Sequence, residues 1–316
     1  MLNLTPRREL DVDPSRHPRG QAHLSAASGL VRVGLCCYVV ADDEHHLGVF
    51  GPDDAAPVSL LRLFDGELPV GAKGRKKRKP DIETLLCLPA SARWPQGALL
   101  GLGSGSRPNR RRGVVVPLAA DGRVDGAPQG LDLAALYAPL AEAFAKVNIE
   151  GGWFGGGECR LLQRGNDGGG VNAMVAYDAA AFVGWVSGPG TQPPRPRSIT
   201  RYALGAVAGV PLGFTDGAPL PGGAWMFSAV AEATEDSYLD GACVGSVIGF
   251  VGADGVLGRT HVLDGAPKVE GLAGGVAAGR LHLMAVTDAD DPRRASQLLC
   301  GEAELNGRLT GGATAR

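Results

Sequence analysis

The chain has 316 residues, 44% apolar and 20% charged, with a formal net charge of −2. That apolar fraction excludes a disordered chain, and the near-neutral balance provides no global field for nucleic acid or an anionic membrane. Glycine (49) and proline (22) are abundant while aromatic residues make up only 5%, a composition that fits many tight turns between short strands. No apolar run approaches the roughly 20 residues of a membrane span, and the segment around Arg7, Arg8 and Glu9 lacks the apolar core of a secretory signal. A cytoplasmic location is therefore expected. Cys36, Cys37, Cys87, Cys159, Cys243 and Cys300 form no Cys-x-x-Cys pair, so buried free thiols in a reducing compartment are expected and not a zinc ribbon.

In chain order, residues 3–13 alternate weakly and predict an outer edge strand, followed by a connection over residues 14–20. A first unit then begins near His23, with a buried strand over residues 35–41 that runs into Asp42-Asp43 and further strands over 45–50 and 60–64. Residues 71–80 are a basic run, read as a solvated loop or, because Lys79 lies four residues before Glu83, as a site for anionic groups. A second unit follows, in which an apolar run over 98–102 ends in Gly103-Ser104-Gly105-Ser106-Arg107 and continues to Arg112. Backbone N–H groups and guanidinium forks can converge on a phosphate or carboxylate there; a long hairpin with a basic tip is the alternative. No Gly-Lys-Ser/Thr ending is present, so this is not a Walker A loop.

Residues 132–146 predict the one helix: Asp132 can cap it, and Leu133, Leu136, Tyr137, Leu140 and Phe144 form an apolar stripe. The third unit passes from Asn148 to the polar corner Arg164-Gly165-Asn166. A fourth begins at Pro211-Leu212 and includes a hairpin around Asp254-Gly255. The fifth carries an apolar strand over 281–286 and the acidic corner Asp288 to Asp291.

The units share a register. Asp81-Ile82-Glu83, Asn148-Ile149-Glu150 and Lys268-Val269-Glu270 are near copies, and Ser28 and Asp216 lie in looser ones. The successive spacings, Ser28 to Glu83, Glu83 to Glu150, Glu150 to Asp216 and Asp216 to Glu270, are 55, 67, 66 and 54 residues. One acidic or small residue, then a buried strand, then a polar end, repeated in this way, predicts radially repeated β-structure. The expected fold is all-β: a single domain over residues 1–316 forming a five-bladed β-propeller, with a six-bladed ring as the alternative. Its blades would span residues 23–70, 80–147, 148–211, 212–265 and 266–308, the last completed by residues 3–13 as the closing strand.

In a propeller the innermost strands line a central channel, so one register becomes a ring. Ser28, Glu83, Glu150, Asp216 and Glu270 would crowd like charges there. A hard cation held by oxygen ligands, Ca²⁺ or Mg²⁺, would relieve the repulsion; neutralisation by Lys79 and Lys268, or ordered water, would serve instead.

Val39-Val40-Ala41-Asp42-Asp43, Lys79-Pro80-Asp81-Ile82-Glu83, the Gly103 to Arg110 segment, Asn148-Ile149-Glu150-Gly151 and Arg164-Gly165-Asn166 together resemble an uncharacterised bacterial β-propeller family. That family is related at the motif level to esterase-like, phytase-type propellers. More distantly, the five-unit layout resembles the calcium-activated nucleotidases (apyrases), five-bladed propellers with a channel calcium held by Ser and Glu residues at the blade starts. The resemblance implies Ser28, Glu83, Glu150, Asp216 and Glu270 as the metal positions, with Asp216 a departure from the pattern.

Three functions follow. The first is a metal-dependent hydrolase of a phosphorylated or other anionic small molecule. In it Lys79, Arg107, Arg110, Arg164, Asn166 and Lys268 bind substrate, and Glu150 or Glu83 handles the proton. The second is an ester or lactone hydrolase on the same metal; a serine triad is not expected because no Gly-x-Ser-x-Gly elbow occurs. The third is a non-catalytic binding scaffold. Neither nucleic acid nor membrane is expected as a partner.

Overall fold

A computed structural model describes residues 2–165, 170–188, 190–233 and 242–304. Five antiparallel sheets follow one another along the chain. Blade 1 contains Ala27–Val33, Cys36–Ala41, His46–Phe50 and Ser59–Arg62. Blade 2 contains Ile82–Leu88, Ala98–Gly103, Arg112–Pro117 and Gln129–Asp132, and blade 3 contains Ile149–Gly155, Glu158–Gln163, Asn172–Asp178 and Ser198–Tyr202. Blade 4 begins with the two-residue strand Ala206–Val207 and continues through Val210–Pro219, Trp225–Ala233, Ala242–Val251 and Leu257–Val262. Blade 5 contains Val269–Ala277, Arg280–Thr287 and Gln297–Glu304, and its outermost strand is Thr5–Glu9 from the N-terminus. The first long strand of each blade packs beside those of both neighbours and closes a ring. The protein is a five-bladed β-propeller, closed by its N-terminal strand.

Strand alternation explains why so many strands are apolar on both faces. Successive side chains point to opposite sides of a blade, and each side of a blade meets another blade. Apolar clusters accordingly form at the five blade-to-blade interfaces. Leu85, Leu99 and Val114 of blade 2 meet Tyr38 and Val40 of blade 1, while Leu100 and Val115 turn the other way, toward Leu161 and Val175 of blade 3. Trp153 of blade 3 meets Phe214, Trp225 and Phe227 of blade 4. Met226 and Phe250 pack on Leu272 and Leu283, and Val286 and Leu298 pack on Leu30 and Val39.

Three helices lie among the described residues, not one. The helix expected over 132–146 is α2, Ala134–Ala143. It starts later because Asp132 still pairs with Arg112 as a strand residue, although its Oδ1 does accept from the Ala134 N–H at 2.8 Å. The apolar stripe is buried as the spacing requires. The basic run is not a loop: Ala72–Arg78 forms α1, with Lys79 at its C-cap and Pro80 preventing its extension. The third helix, α3 (Ala179–Ser187), is capped by the Asp178 side chain; its short apolar sequence carries no distinct helical period. All six cysteines are free, but only Cys37 and Cys159 are buried and Cys87 is exposed.

Candidate functional site

Each inner strand is interrupted by a β-bulge at the same place. The pairing skips between Ala27 and Gly29, Ile82 and Thr84, Ile149 and Gly151, Phe214 and Asp216, and Val269 and Gly271. The extra residue leaves the ladder and its side chain is re-aimed. The bulged residues are therefore Ser28, Glu83, Glu150, Thr215 and Glu270. Four of the five expected positions hold, and the fourth blade is off by one: Thr215 takes the register, not Asp216.

The two hydroxyl positions do the same thing. Ser28 Oγ donates to the Ile82 carbonyl at 2.7 Å, and Thr215 Oγ1 donates to the Val269 carbonyl at 2.7 Å, in each case the next blade's residue just before its own bulge. Both hydroxyls are spent on holding blades together. Asp216 is buried, and its carboxyl accepts from the N–H groups of Gly217 and Leu272, each at 2.7 Å. Burial drives its pKa well up against these bonds and one from Gly152. Gly151 leaves room for it, since a β-carbon there would stand 2.6 Å from Asp216 Oδ1. Asp216 thus joins blades 3, 4 and 5 through their backbones and is not among the residues lining the channel cavity.

That cavity has a volume of about 270 Å³, enough for a small molecule. Seven acids and seven bases line it, so the wall carries no formal excess of either sign. On one side Lys79 Nζ contacts Asp42 and lies 2.9 Å from Asp81 Oδ1, while Arg110 Nη1 donates to Asp81 Oδ2 at 2.8 Å. Ser104 Oγ donates to the same Asp81 oxygen at 2.5 Å. Helix α1 delivers the lysine, anchored by Arg75, whose Nε donates to Asp43 at 2.8 Å and whose Nη1 donates to the Val70 carbonyl at 2.6 Å.

On the other side Arg164 lies 3.4 Å from Glu150, 2.8 Å from Glu232 and 3.7 Å from Glu270. Lys268 contacts Glu232 (2.9 Å), Glu270 (3.5 Å), Asp288 (3.2 Å) and Asp290 (2.7 Å). Asn148 Nδ2 donates to Glu150 Oε1 at 2.5 Å. Two cations are shared among five carboxyls, so burial is only partly offset: it raises Glu150, and it pushes Glu270 up to about 8 against Lys268 and Arg164.

Glu83 and Arg107 stand apart. Both line the cavity, and neither side chain has a hydrogen bond or ion pair among the described residues, whereas every other charged lining residue has a partner. Burial, then Glu150, Asp81 and Asp42, push the Glu83 carboxyl well above its usual range. Arg107 is exposed at the rim. The expected binding set thus separates: Arg107 is free to take a ligand, while Lys79, Arg110, Arg164 and Lys268 are committed to carboxylates. Asn166 lies outside the described residues. Asp42, Glu232 and Asp288, which end second strands or follow them, were not singled out as site residues; the polar ends of those strands were the available signal.

The calcium set implied by the apyrase resemblance can be tested on this geometry. Thr215 and Ser28 are turned to neighbouring blades, and Arg164 lies against both Glu150 and Glu270. A different trio, Asp42, Asp81 and Glu83, brings one carboxyl oxygen each within 4.8 Å of the others, but Lys79 already contacts two of them. These residues do not form one free coordination shell.

A family model matches residues 75–292, well over half of the chain. The chain belongs to DUF6910, a family of unknown function. The DUF6910 match covers blades 2 to 4 and the two inner strands of blade 5. No curated protein matches the sequence. Among solved structures, a GH43 β-1,3-galactosidase is similar over 96% of this chain and 64% of its own length, with 10% identity and a TM-score of 0.49. A luciferin-regenerating enzyme is similar over 90% of this chain and 92% of its own (10% identity, TM-score 0.41). The Bacillus subtilis arabinanase Arb43A is similar over 90% and 96% (12% identity, TM-score 0.41). No helix among the described residues is long and apolar enough to cross a membrane.

Proposed function

We propose that this protein is a hydrolase of small anionic molecules, acting in the channel cavity with its own side chains as the charged groups. The observation that carries the reading is the pair of side chains without an ion pair, Glu83 and Arg107, in a wall whose other charged residues all have partners. Arg107 binds the anionic group, since a guanidinium fork suits a carboxylate or phosphate. Glu83, whose burial and acidic neighbours favour the neutral acid, donates its proton to the leaving oxygen. Glu150, oriented by Asn148 and Arg164, takes a proton from the attacking water, whose oxygen bonds to the phosphoryl or acyl centre as the bond to the leaving group breaks. Proton exchange through solvent then resets the two carboxyls. The calcium or magnesium ion expected from the sequence has no free shell among these residues, and no step is assigned to it.

The test is product release from alkyl and nitrophenyl phosphate monoesters and from the matching carboxylic esters, in chelator. Glu83→Gln should lower kcat more for the alkyl leaving group, which needs protonation, than for the nitrophenyl one. Arg107→Ala should raise KM. Absence of turnover on every ester, in wild-type protein, would reject the hydrolase. Preference for carboxylic esters over phosphates would select the ester or lactone alternative.

A second reading is a binding scaffold. It is favoured by the commitment of so many channel charges to one another, which is what a wall with a structural role requires. Under it, anions bind through Arg107 without turnover, and Glu83→Gln leaves affinity unchanged.

A further inference from the structure

We infer that Lys79 holds the place of a divalent cation: its ammonium group occupies a carboxylate trio, Asp42, Asp81 and Glu83, that would otherwise form an oxygen-ligand metal site. This deepens the reading above, taking from it only that the channel supplies its own cations.

Two oxygens bound to one Ca²⁺ at about 2.3–2.6 Å can stand no more than about 5 Å apart. The three carboxyl oxygens, one from each residue, lie within 4.8 Å of one another, which meets that limit. Unscreened, such a group would be costly, and something positive must occupy or adjoin it. Lys79 Nζ does so, in contact with Asp42 Oδ2 and 2.9 Å from Asp81 Oδ1. Burial alone would lower the pKa of this lysine, but Asp42, Asp81 and Glu83 together hold it well above its ordinary value.

The lysine does not reach the trio by chance of a flexible loop. Helix α1 ends at Arg78, the Lys79 N–H is bonded to the Arg75 carbonyl at 2.8 Å, and the Lys79 carbonyl accepts from Asn109 Nδ2 at 3.0 Å. Arg75 is in turn fixed to Asp43, next in sequence to Asp42. The second Asp81 oxygen is taken by Arg110 and Ser104, which leaves Oδ1 to Lys79. The ammonium thus occupies the trio, with Arg110 on the outer Asp81 oxygen, and Glu83 remains without an ion pair of its own.

The inference is tested by calcium titration calorimetry and thermal unfolding of wild-type protein and Lys79→Gln, whose amide keeps a hydrogen bond to Asp42. Wild-type protein should show no saturable binding and no shift of unfolding temperature with calcium or chelator. Lys79→Gln should bind calcium with a dissociation constant of about 1 mM or lower, the weak end for oxygen-ligand sites, and lose it in the Lys79→Gln/Glu83→Gln double variant. Folding of Lys79→Gln only in calcium would support the inference equally. Wild-type binding as tight as the variant's, lost in Glu83→Gln, would overturn it, as would a Lys79→Gln protein that calcium neither binds nor rescues. Inorganic phosphate binding by wild-type protein and Arg107→Ala, run alongside, reports on the channel reading separately.

Discussion

Gly213 and Arg164 fit together across the joint between blades 3 and 4: a β-carbon at 213 would stand 3.0 Å from Arg164 Cγ and 3.1 Å from its Nε. The missing side chain lets the guanidinium lie over blade 4, where it meets Glu232, Glu150 and Glu270 at once. Cγ belongs to the stem and Nε to the guanidinium, and each need give only a few tenths of an ångström to admit a methyl group, whereas a larger side chain has no such room. Gly213→Ala should cost less than about 1 kcal/mol, and Gly213→Leu about 3 kcal/mol by displacing Arg164 and leaving buried carboxyls unpaired. Denaturant unfolding of the two variants measures the difference.

Asp216 is predicted to matter for stability and not for ligand binding. Asp216→Ala would leave the Gly217 and Leu272 N–H groups without their acceptor, at about 1–3 kcal/mol for a buried donor. Anion affinity, measured under conditions where the variant is folded, should stay at the wild-type value.

Stability should fall on both sides of about pH 5. Glu270 has a folded pKa raised from 4.5 to about 8 by burial, so the folded state binds the extra proton between those values. Stability is then lost as pH rises through that window, at up to about 1.4 kcal/mol per pH unit for one proton. Glu44 has the opposite sign: burial would raise it, but the hydrogen bond with His17, the adjacent His46 and the charge of Arg19 outweigh burial and hold it at about 2. Its contribution is lost as pH falls from 4.5 toward 2. Unfolding temperatures across pH 3–9 should show a smaller alkaline decline in Glu270→Gln.

Glu44 also anchors the N-terminal segment to blade 1. His17 Nε2 lies 3.1 Å from its Oε1, and Arg19 donates to both carboxyl oxygens. Replacing it by Ala would leave a buried guanidinium without that partner, at a cost of about 3–5 kcal/mol, read by chemical unfolding. If the change is under 1 kcal/mol, the network is not the anchor described.

The five-fold register was legible because Asp-Ile-Glu, Asn-Ile-Glu and Lys-Val-Glu keep both residue type and spacing. At the fourth blade, Phe214-Thr215-Asp216-Gly217 offers an acid one place later, and a one-residue slip exchanges the ring for the blade interior. Only the bulge decides between them, and bulges leave no separable trace in residue type. Helix α1 was hidden by its own composition: Lys73, Arg75, Lys76, Lys77 and Arg78 carry no apolar stripe, and what fixes the helix is the Arg75–Asp43 pair, 32 positions apart in sequence. Charge pairing in the channel was partly legible, since Lys79 and Lys268 lie close to ring acids. Arg164 was not, because its partners come from blades 3, 4 and 5 and meet only when the ring closes.

Glu83 faces the channel without an ion pair, and burial beside Glu150, Asp81 and Asp42 holds its carboxyl well above the usual range. Carbon-13 carboxyl resonances of glutamate-labelled protein, with Glu83 assigned by its disappearance in Glu83→Gln, test this directly in chelator from pH 5 to 8. The Glu83 signal should keep its protonated position at pH values where an exposed glutamate is already ionised, unchanged by added calcium. A Glu83 signal already ionised at pH 5, or one shifted by calcium in the wild-type protein, would contradict it.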